Sequence, residues 1–208
     1  MSEPSDAALL DAWRAGDREA GSALFERHFV SVFRFFAAKL GDVAAADLTQ
    51  RTFEAVVQHR DRVREGSKFR AYLLTVARNE LLMHLRSRGR HGVDAELMSS
   101  AIEAMLPSPD SALAGSEQER LVIRALRSLS LDQQMLLELH YWEELSTEDI
   151  GEILGVARGT VKSRLFRARE ELRNALAMAT QGGGLGAGSI EEIEQWVARI
   201  RAGRPGRG

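Results

Sequence analysis

The chain has no cysteine among its 208 residues, which excludes a disulfide framework, a cysteine-built zinc finger and a thiol nucleophile. Aromatic residues are few, with eight Phe, three Trp and two Tyr, and this argues against an aromatic-rich sandwich or barrel. No apolar run approaches the roughly 18 residues that cross a bilayer, and the first thirty residues carry no signal-peptide pattern. A cytoplasmic protein without membrane insertion is therefore expected. What is present is ordinary for a globular chain: 44% hydrophobic and 28% charged residues. The length allows one large domain or two small ones.

The net charge of −2 conceals a strong pattern. Residues 60–92 carry nine basic side chains (Arg60, Arg62, Arg64, Lys68, Arg70, Arg78, Arg86, Arg88, Arg90) against three acidic ones. Residues 93–156 carry thirteen acidic against three basic. Residues 157–180 return to six basic (Arg158, Lys162, Arg164, Arg167, Arg169, Arg173) against two acidic. Two cationic blocks flanking an anionic one suggest two separate contacts with a polyanion, and nucleic acid becomes the leading partner.

Hydrophobic periodicity is helical nearly throughout, and no period-2 strand pattern stands out. Ala7–Arg14 reads as a short helix. A second begins near Asp17, a natural N-cap, with Phe25, Phe29, Val32, Phe33, Phe36 and Leu40 forming its expected buried face. Gly41-Asp42 stops it, and a third helix covers about Val43–His59 with Leu48, Thr52, Phe53, Val56 and Val57 facing inward. Ser67 suits the cap of a fourth, Phe69–Ser87, which is apolar almost all round and so belongs at the centre of its bundle. Pro107 and Pro109 bar a continuous helix through the acidic stretch. Further helices are expected at Glu117–Leu126, Ser130–Tyr141, Thr147–Leu154 and Arg158–Ala179. The fold class is thus all-α: two small helical domains joined by an acidic linker, the second carrying a helix-turn-helix. The divisions fall at 1–92, 93–116 and 117–180, followed by a Gly-rich spacer and short helix at 181–208, for which a regulatory role and a disordered remnant are equally open.

The helix-turn-helix occupies Ser146 to Arg169. Ser146 or Thr147 caps its first helix, Ile150, Ile153 and Leu154 point inward, and Gly155 supplies the tight turn. Placing the second helix's residues at about 100° intervals puts Val161, Leu165, Ala168 and Leu172 on one stripe. Lys162, Ser163, Phe166 and Arg167 fall on the opposite side, with Arg164 at the border. An aromatic facing away from the core suits a major groove, where it meets a thymine methyl while Arg167 and Lys162 reach guanine edges or phosphates.

At this point the residues resemble a family, the extracytoplasmic-function group of bacterial sigma factors. Gly159 to Leu172 is similar to the recognition helix of their second domain, which reads the −35 promoter element. Phe69 to Asn79 with His84-Leu-Arg-Ser-Arg88 resembles the first-domain helix that engages the −10 element. Asp47-Leu-Thr-Gln50-Arg-Thr-Phe53 resembles the segment that grips the clamp helices of the largest RNA polymerase subunit. The resemblance covers about residues 7–180 and implies a factor that binds core RNA polymerase and directs promoter-specific initiation with DNA melting. It implies −35 contacts by Arg158, Thr160, Lys162, Ser163, Arg164, Phe166 and Arg167. Its −10 contacts are Arg62, Arg64, Ser67, Lys68, Arg70, Asn79, Arg86 and Arg88, and its polymerase contacts are Asp47, Gln50 and Phe53. Beyond core polymerase and promoter DNA, an anti-sigma protein is a further candidate partner.

Three positions depart from the family. Arg51 stands where an acidic residue is usual. Gly151 replaces a small helix former, at a cost of about 1 kcal/mol relative to Ala. Ser130 replaces a helix-opening proline. Outside the family, a two-domain regulator with a sensing or dimerising N-terminal half would use the same helix-turn-helix, but it has little use for the basic block Arg60–Arg90. An enzyme fits worse. His28, His59, His84, His91 and His140 are scattered with no metal-ligand spacing, and no phosphate-cradling glycine loop is present. No catalytic residue, metal or cofactor is therefore expected.

Overall fold

A computed structural model describes residues 3–63, 68–89, 124–126 and 128–179. No strand occurs among the described residues, and the chain divides into two compact units between Leu106 and Pro107. The expected acidic linker 93–116, the start of the helix placed at Glu117, the cap at Ser67 and the tail 181–208 lie outside the described residues.

Among the described residues the first unit holds four helices: α1 (Asp6–Arg14), α2 (Arg18–Leu40), α3 (Asp42–His59) and α4 (Phe69–Gly89), with a 3-10 turn at Arg60–Arg62 after α3. Their boundaries follow from local chemistry. Ser5 accepts the Ala8 N–H at the start of α1, and Asp17 accepts those of Glu19 and Ala20 at the start of α2. Gly41 adopts φ 76°, ending α2 and starting α3 in a single residue; a side chain would strain that backbone. Gly21 has a different purpose: a β-carbon there would lie 2.7 Å from the Trp13 ring, so its absence lets α1 lie close against α2.

α4, expected at the centre of its bundle, instead packs mainly against α3 and leaves a face of Asn79, Met83 and Arg86 to solvent, so α2 and α3 form the heart of the unit. Phe69, Leu73, Leu74, Ala77 and Leu81 are all buried, and each large side chain removed from water contributes about 1.5–3 kcal/mol. α2 departs from expectation. Its buried arc runs through Leu24, His28, Val32, Phe35, Phe36, Lys39 and Leu40, turned from the all-apolar stripe of Phe25, Phe29 and Phe33. The reason is that two polar residues lie in the core with partners. His28 Nε2 lies 2.7 Å from Asp6 of α1, and the Lys39 ammonium donates to the Phe35 carbonyl at 2.7 Å while sitting 3.9 Å from the Phe35 ring centroid. Phe29 is left 48% exposed and stacks on Phe33 and Phe53 at the rim. Val57, expected inside, is also exposed.

The second unit contains α5 (Leu131–Tyr141), α6 (Thr147–Leu154) and α7 (Arg158–Ala179), with residues 124–126 also helical. Ser130 does what a proline cannot. It forms a reciprocal capping box with Gln133, whose side chain accepts the Ser130 N–H at 3.0 Å. Ser146 caps α6 through the Asp149 N–H at 3.1 Å. Gly155 closes α6 in the left-handed conformation, φ 68° and ψ 36°. Gly151 needs correction as a helix defect. A β-carbon at that position would stand 2.7 Å from the Val156 carbonyl oxygen, so the tight turn demands glycine. Met135, Leu136, Leu139, Ile150, Ile153, Val161, Leu165, Ala168 and Leu172 close the core.

Candidate nucleic-acid interface

α7 divides its surface as its spacing dictates. Val161, Leu165, Ala168 and Leu172 are buried on α5 and α6, while Arg158, Lys162, Ser163, Arg164, Phe166 and Arg167 are exposed and Thr160 is half-buried. The Phe166 ring is 59% exposed, an apolar surface left in water amid cations. Within the described residues none of Arg158, Lys162, Arg164 and Arg167 is held in an ion pair, so their charge is available to an external anion. The Ser163 hydroxyl donates back to the Thr160 carbonyl at 3.0 Å, leaving its lone pairs outward.

The other two cations of this block hold the unit together. Arg169 Nε donates to the Tyr141 hydroxyl at 2.6 Å, and a second guanidinium nitrogen lies 3.1 Å from His140 Nε2. Arg173 pairs with Glu170 one turn earlier. The block counted as six in the sequence therefore splits into four cations facing solvent and two structural ones. The split follows partnership rather than helical position: Arg169 reaches Tyr141 and His140 of α5, and Arg173 reaches Glu170.

In the first unit, Asn79 and Arg86 of α4 are exposed and lie about 20° apart around the helix axis. Met83, 54% exposed, lies about 40° from Asn79 on its other side, and Tyr72 is about 20° from Asn79 on the same face. Met83 and Tyr72 were missed by sequence reasoning; their place on the Asn79 face was the available signal. Burial pushes the Tyr72 phenol above its ordinary range, with the Arg62 charge acting against this. The hydroxyl therefore keeps its proton and donates to the His59 carbonyl at 3.4 Å. Arg62 is exposed and Lys68 half-buried. Arg70, half-buried, sits about 180° around α4 from Asn79 and is not brought to that face. Arg64 and Ser67 lie outside the described residues, as does the side chain of Arg88.

The residues expected to meet polymerase separate on α3. Asp47 and Gln50 are exposed, each held within its own helix: Arg51 Nε lies 3.1 Å from Asp47, and Gln50 donates to Glu54 at 2.8 Å. Phe53 turns inward, its ring centroid 4.7 Å from that of Phe25. Val43 and Val57 share the outer stripe with Asp47 and Gln50 and are 90% and 42% exposed, which adds apolar surface to that stripe. No cluster of His, Asp or Glu suited to a metal ion occurs among the described residues. No helix among them is long and apolar enough to cross a membrane.

Comparison with known proteins finds two family models on the chain. The Sigma-70 region 2 family model matches residues 24–91, and the Sigma-70, region 4 model matches residues 119–172. The chain is 28% identical over 180 residues to the ECF RNA polymerase sigma-E factor of Haemophilus influenzae, covering 83% of this chain and 95% of the relative. It is 29% identical over 185 residues to the factor of the same name from Escherichia coli K12, covering 84% of this chain and 96% of the relative. Among solved structures it is similar to the sigma factor RpoE from Bartonella quintana, crystallised with the anti-sigma factor NepR. That match has a TM-score of 0.59 and 28% identity over 75% of this chain and 96% of the other.

Proposed function

Because the chain belongs to the sigma-70 family, as an extracytoplasmic-function sigma factor that binds core RNA polymerase and directs promoter-specific initiation, we propose a division of that work between its two units. Residues 117–180 read the −35 element through Arg158, Thr160, Lys162, Ser163, Arg164, Phe166 and Arg167. Residues 1–92 bind polymerase through the outer stripe of α3 around Asp47 and Gln50, with Phe53 supporting it from beneath. The same unit engages the −10 strand through Arg62, Lys68, Asn79 and Arg86, together with Arg64, Ser67 and Arg88. Unpairing that strand costs a few kcal/mol, which base capture and contacts to the freed strand offset.

The observation that carries this reading is the outer face of α7. Four cations without ion-pair partners among the described residues share the helix with an exposed phenylalanine, Lys162 one turn before it and Arg167 next to it in sequence, on the second helix of a helix-turn-helix. A solvated face has no use for an aromatic there, whereas a major groove does. The acidic stretch 93–116 links the units and, by its sign, suits a basic nucleic-acid channel. Polymerase performs the chemistry, so the chain itself is not an enzyme and needs no cofactor. It works in the cytoplasm, and an anti-sigma protein is a candidate partner, as NepR is for the similar RpoE.

The test is run-off transcription with purified protein and core polymerase. Initiation at a promoter that core alone ignores is the expected result. Tight duplex binding with no association with core polymerase would replace this reading with that of a two-domain regulator.

A further inference from the structure

α1 precedes the residues matched by the region 2 family, which begin at 24, and packing alone accounts for most of it. Leu10 and Trp13 are buried, the Trp13 ring meets Phe25 edge-on with centroids 5.3 Å apart, and Gly21 receives it. Arg14 does something else. From the last turn of α1 a single guanidinium nitrogen, Nη2, reaches the far end of α3 and donates to two main-chain carbonyls, Arg60 at 3.1 Å and Val63. Asp11 lies 3.5 Å behind it. The Arg60 guanidinium in turn covers the Trp13 ring at 5.3 Å. A third carbonyl of the same exit, that of His59, accepts the Tyr72 hydroxyl of α4.

The last carbonyls of a helix have no intrahelical donor and form the negative end of its dipole. Any cation nearby would lower their energy. A guanidinium does more, because its N–H groups lie in a rigid plane, and two of them on two carbonyls fix the distance between those carbonyls. The residues held are Arg60 and Val63, and the Val63 side chain is itself seated in the core at 3% exposure. Between them lie Asp61 and Arg62, both exposed. Arg14 therefore grips the main chain on either side of Arg62, within one hydrogen bond of the Tyr72 end of α4.

We infer that Arg14 is a positioning residue for −10 recognition: by clamping the Arg60 and Val63 carbonyls it sets where Arg62 stands beside the first turns of α4. This rests on the −10 assignment made above. A simple fold staple is the competing role, and the buried Leu10 and Trp13 make α1 less dependent on such a staple.

The experiment uses reconstituted holoenzyme on a template pool randomised across both promoter elements, with the transcripts sequenced. Arg14→Lys keeps the charge but replaces the planar donor nitrogen with a freely rotating ammonium, which does not fix the angle between the two bonds; Arg14→Gln loses the charge and the reach. Both variants are expected to reduce the enrichment of preferred −10 bases threefold or more while leaving the −35 base distribution unchanged. For Arg14→Lys, core affinity stays within twofold of the parent. A uniform fall in transcript yield with unaltered base distributions at both elements would make Arg14 a staple and overturn the inference. Asn79→Ala and Arg86→Ala serve as controls. If they shift the −10 distribution and the Arg14 variants do not, the inference alone fails. If none of the four variants shifts it, the −10 assignment fails and the inference with it.

Discussion

Gly151 and Val156 meet backbone against backbone. The Val156 N–H donates to the Gly151 carbonyl at 2.9 Å, and the Val156 carbonyl oxygen lies 2.7 Å from where a β-carbon on residue 151 would stand. Helix propensity alone favours alanine at a helix position by about 1 kcal/mol. The contact reverses that preference, because the obstructing atom belongs to the main chain and cannot swing aside. Gly151→Ala is therefore expected to destabilise the second unit, by about 1–2 kcal/mol once overpacking is set against propensity. Thermal or urea denaturation checks it; a variant more stable than the parent would show that the turn relaxes freely.

Phe166 predicts a separation of stability from binding. With its ring 59% exposed, Phe166→Ala should move folding stability by less than about 0.5 kcal/mol. If the ring meets DNA, the same substitution should weaken −35 duplex binding by about 1 kcal/mol, roughly fivefold, from lost apolar burial. Arg167→Ala should cost about 1–3 kcal/mol on the preferred element and little on one already substituted at the base it reads. Competition among base-substituted duplexes measures both. A loss equal on every duplex, with a salt slope shallower by about one, would assign Arg167 to phosphate instead.

These predictions concern elements that the sequence announced well. Asp17 and Ser146 are side-chain caps, Gly41 and Gly155 take positive φ, and such signals are local, so a helix boundary is legible without knowing its neighbours. The α7 stripe was legible for the same reason: four apolar residues at helical spacing leave one way to bury them. The buried face of α2 was not. His28 and Lys39 count as polar in any periodic reading, and only Asp6, 22 residues away along the chain from His28, and the Phe35 carbonyl and ring make their burial affordable. Likewise nothing local separates Arg169, which bonds Tyr141 across 28 positions, from Arg167, which faces solvent. Long-range partnership decides both cases.

If Asp47 contacts polymerase as proposed, Arg51 bears on that contact through their ion pair. Its guanidinium lies 3.1 Å from the Asp47 carboxylate one turn earlier, with both side chains about half exposed at 54% and 56%. A pair so exposed is worth about 0.2–1 kcal/mol, and Asp47 must give it up before making a new partner. Arg51→Ala should then tighten core binding by roughly two- to fivefold, while Asp47→Ala weakens it. A double-mutant cycle read by core-polymerase titration would show the coupling. If Arg51→Ala weakens binding instead, Arg51 itself contacts polymerase, and the departure from the family's acidic residue is a contact of its own.

Asp6 makes the first unit sensitive to acid. Burial raises the affinity of its carboxyl for a proton, but hydrogen bonds from His28 and Arg27 and their charge outweigh it, holding the group at about 2 against an ordinary 3.8. A carboxyl depressed in the folded state contributes stability that is fully present above the unfolded value and lost as pH falls through the folded one. The window here runs from about pH 4 down to pH 2. The side chain is 22% exposed, so solvent screening reduces the contribution to about 1–2 kcal/mol. Asp6→Asn should be less stable than the parent by that amount at pH 7, with the gap closing as urea denaturation is repeated at pH 4, 3 and 2. A gap independent of pH would mean that Asp6 acts through shape and hydrogen bonding rather than through its charge.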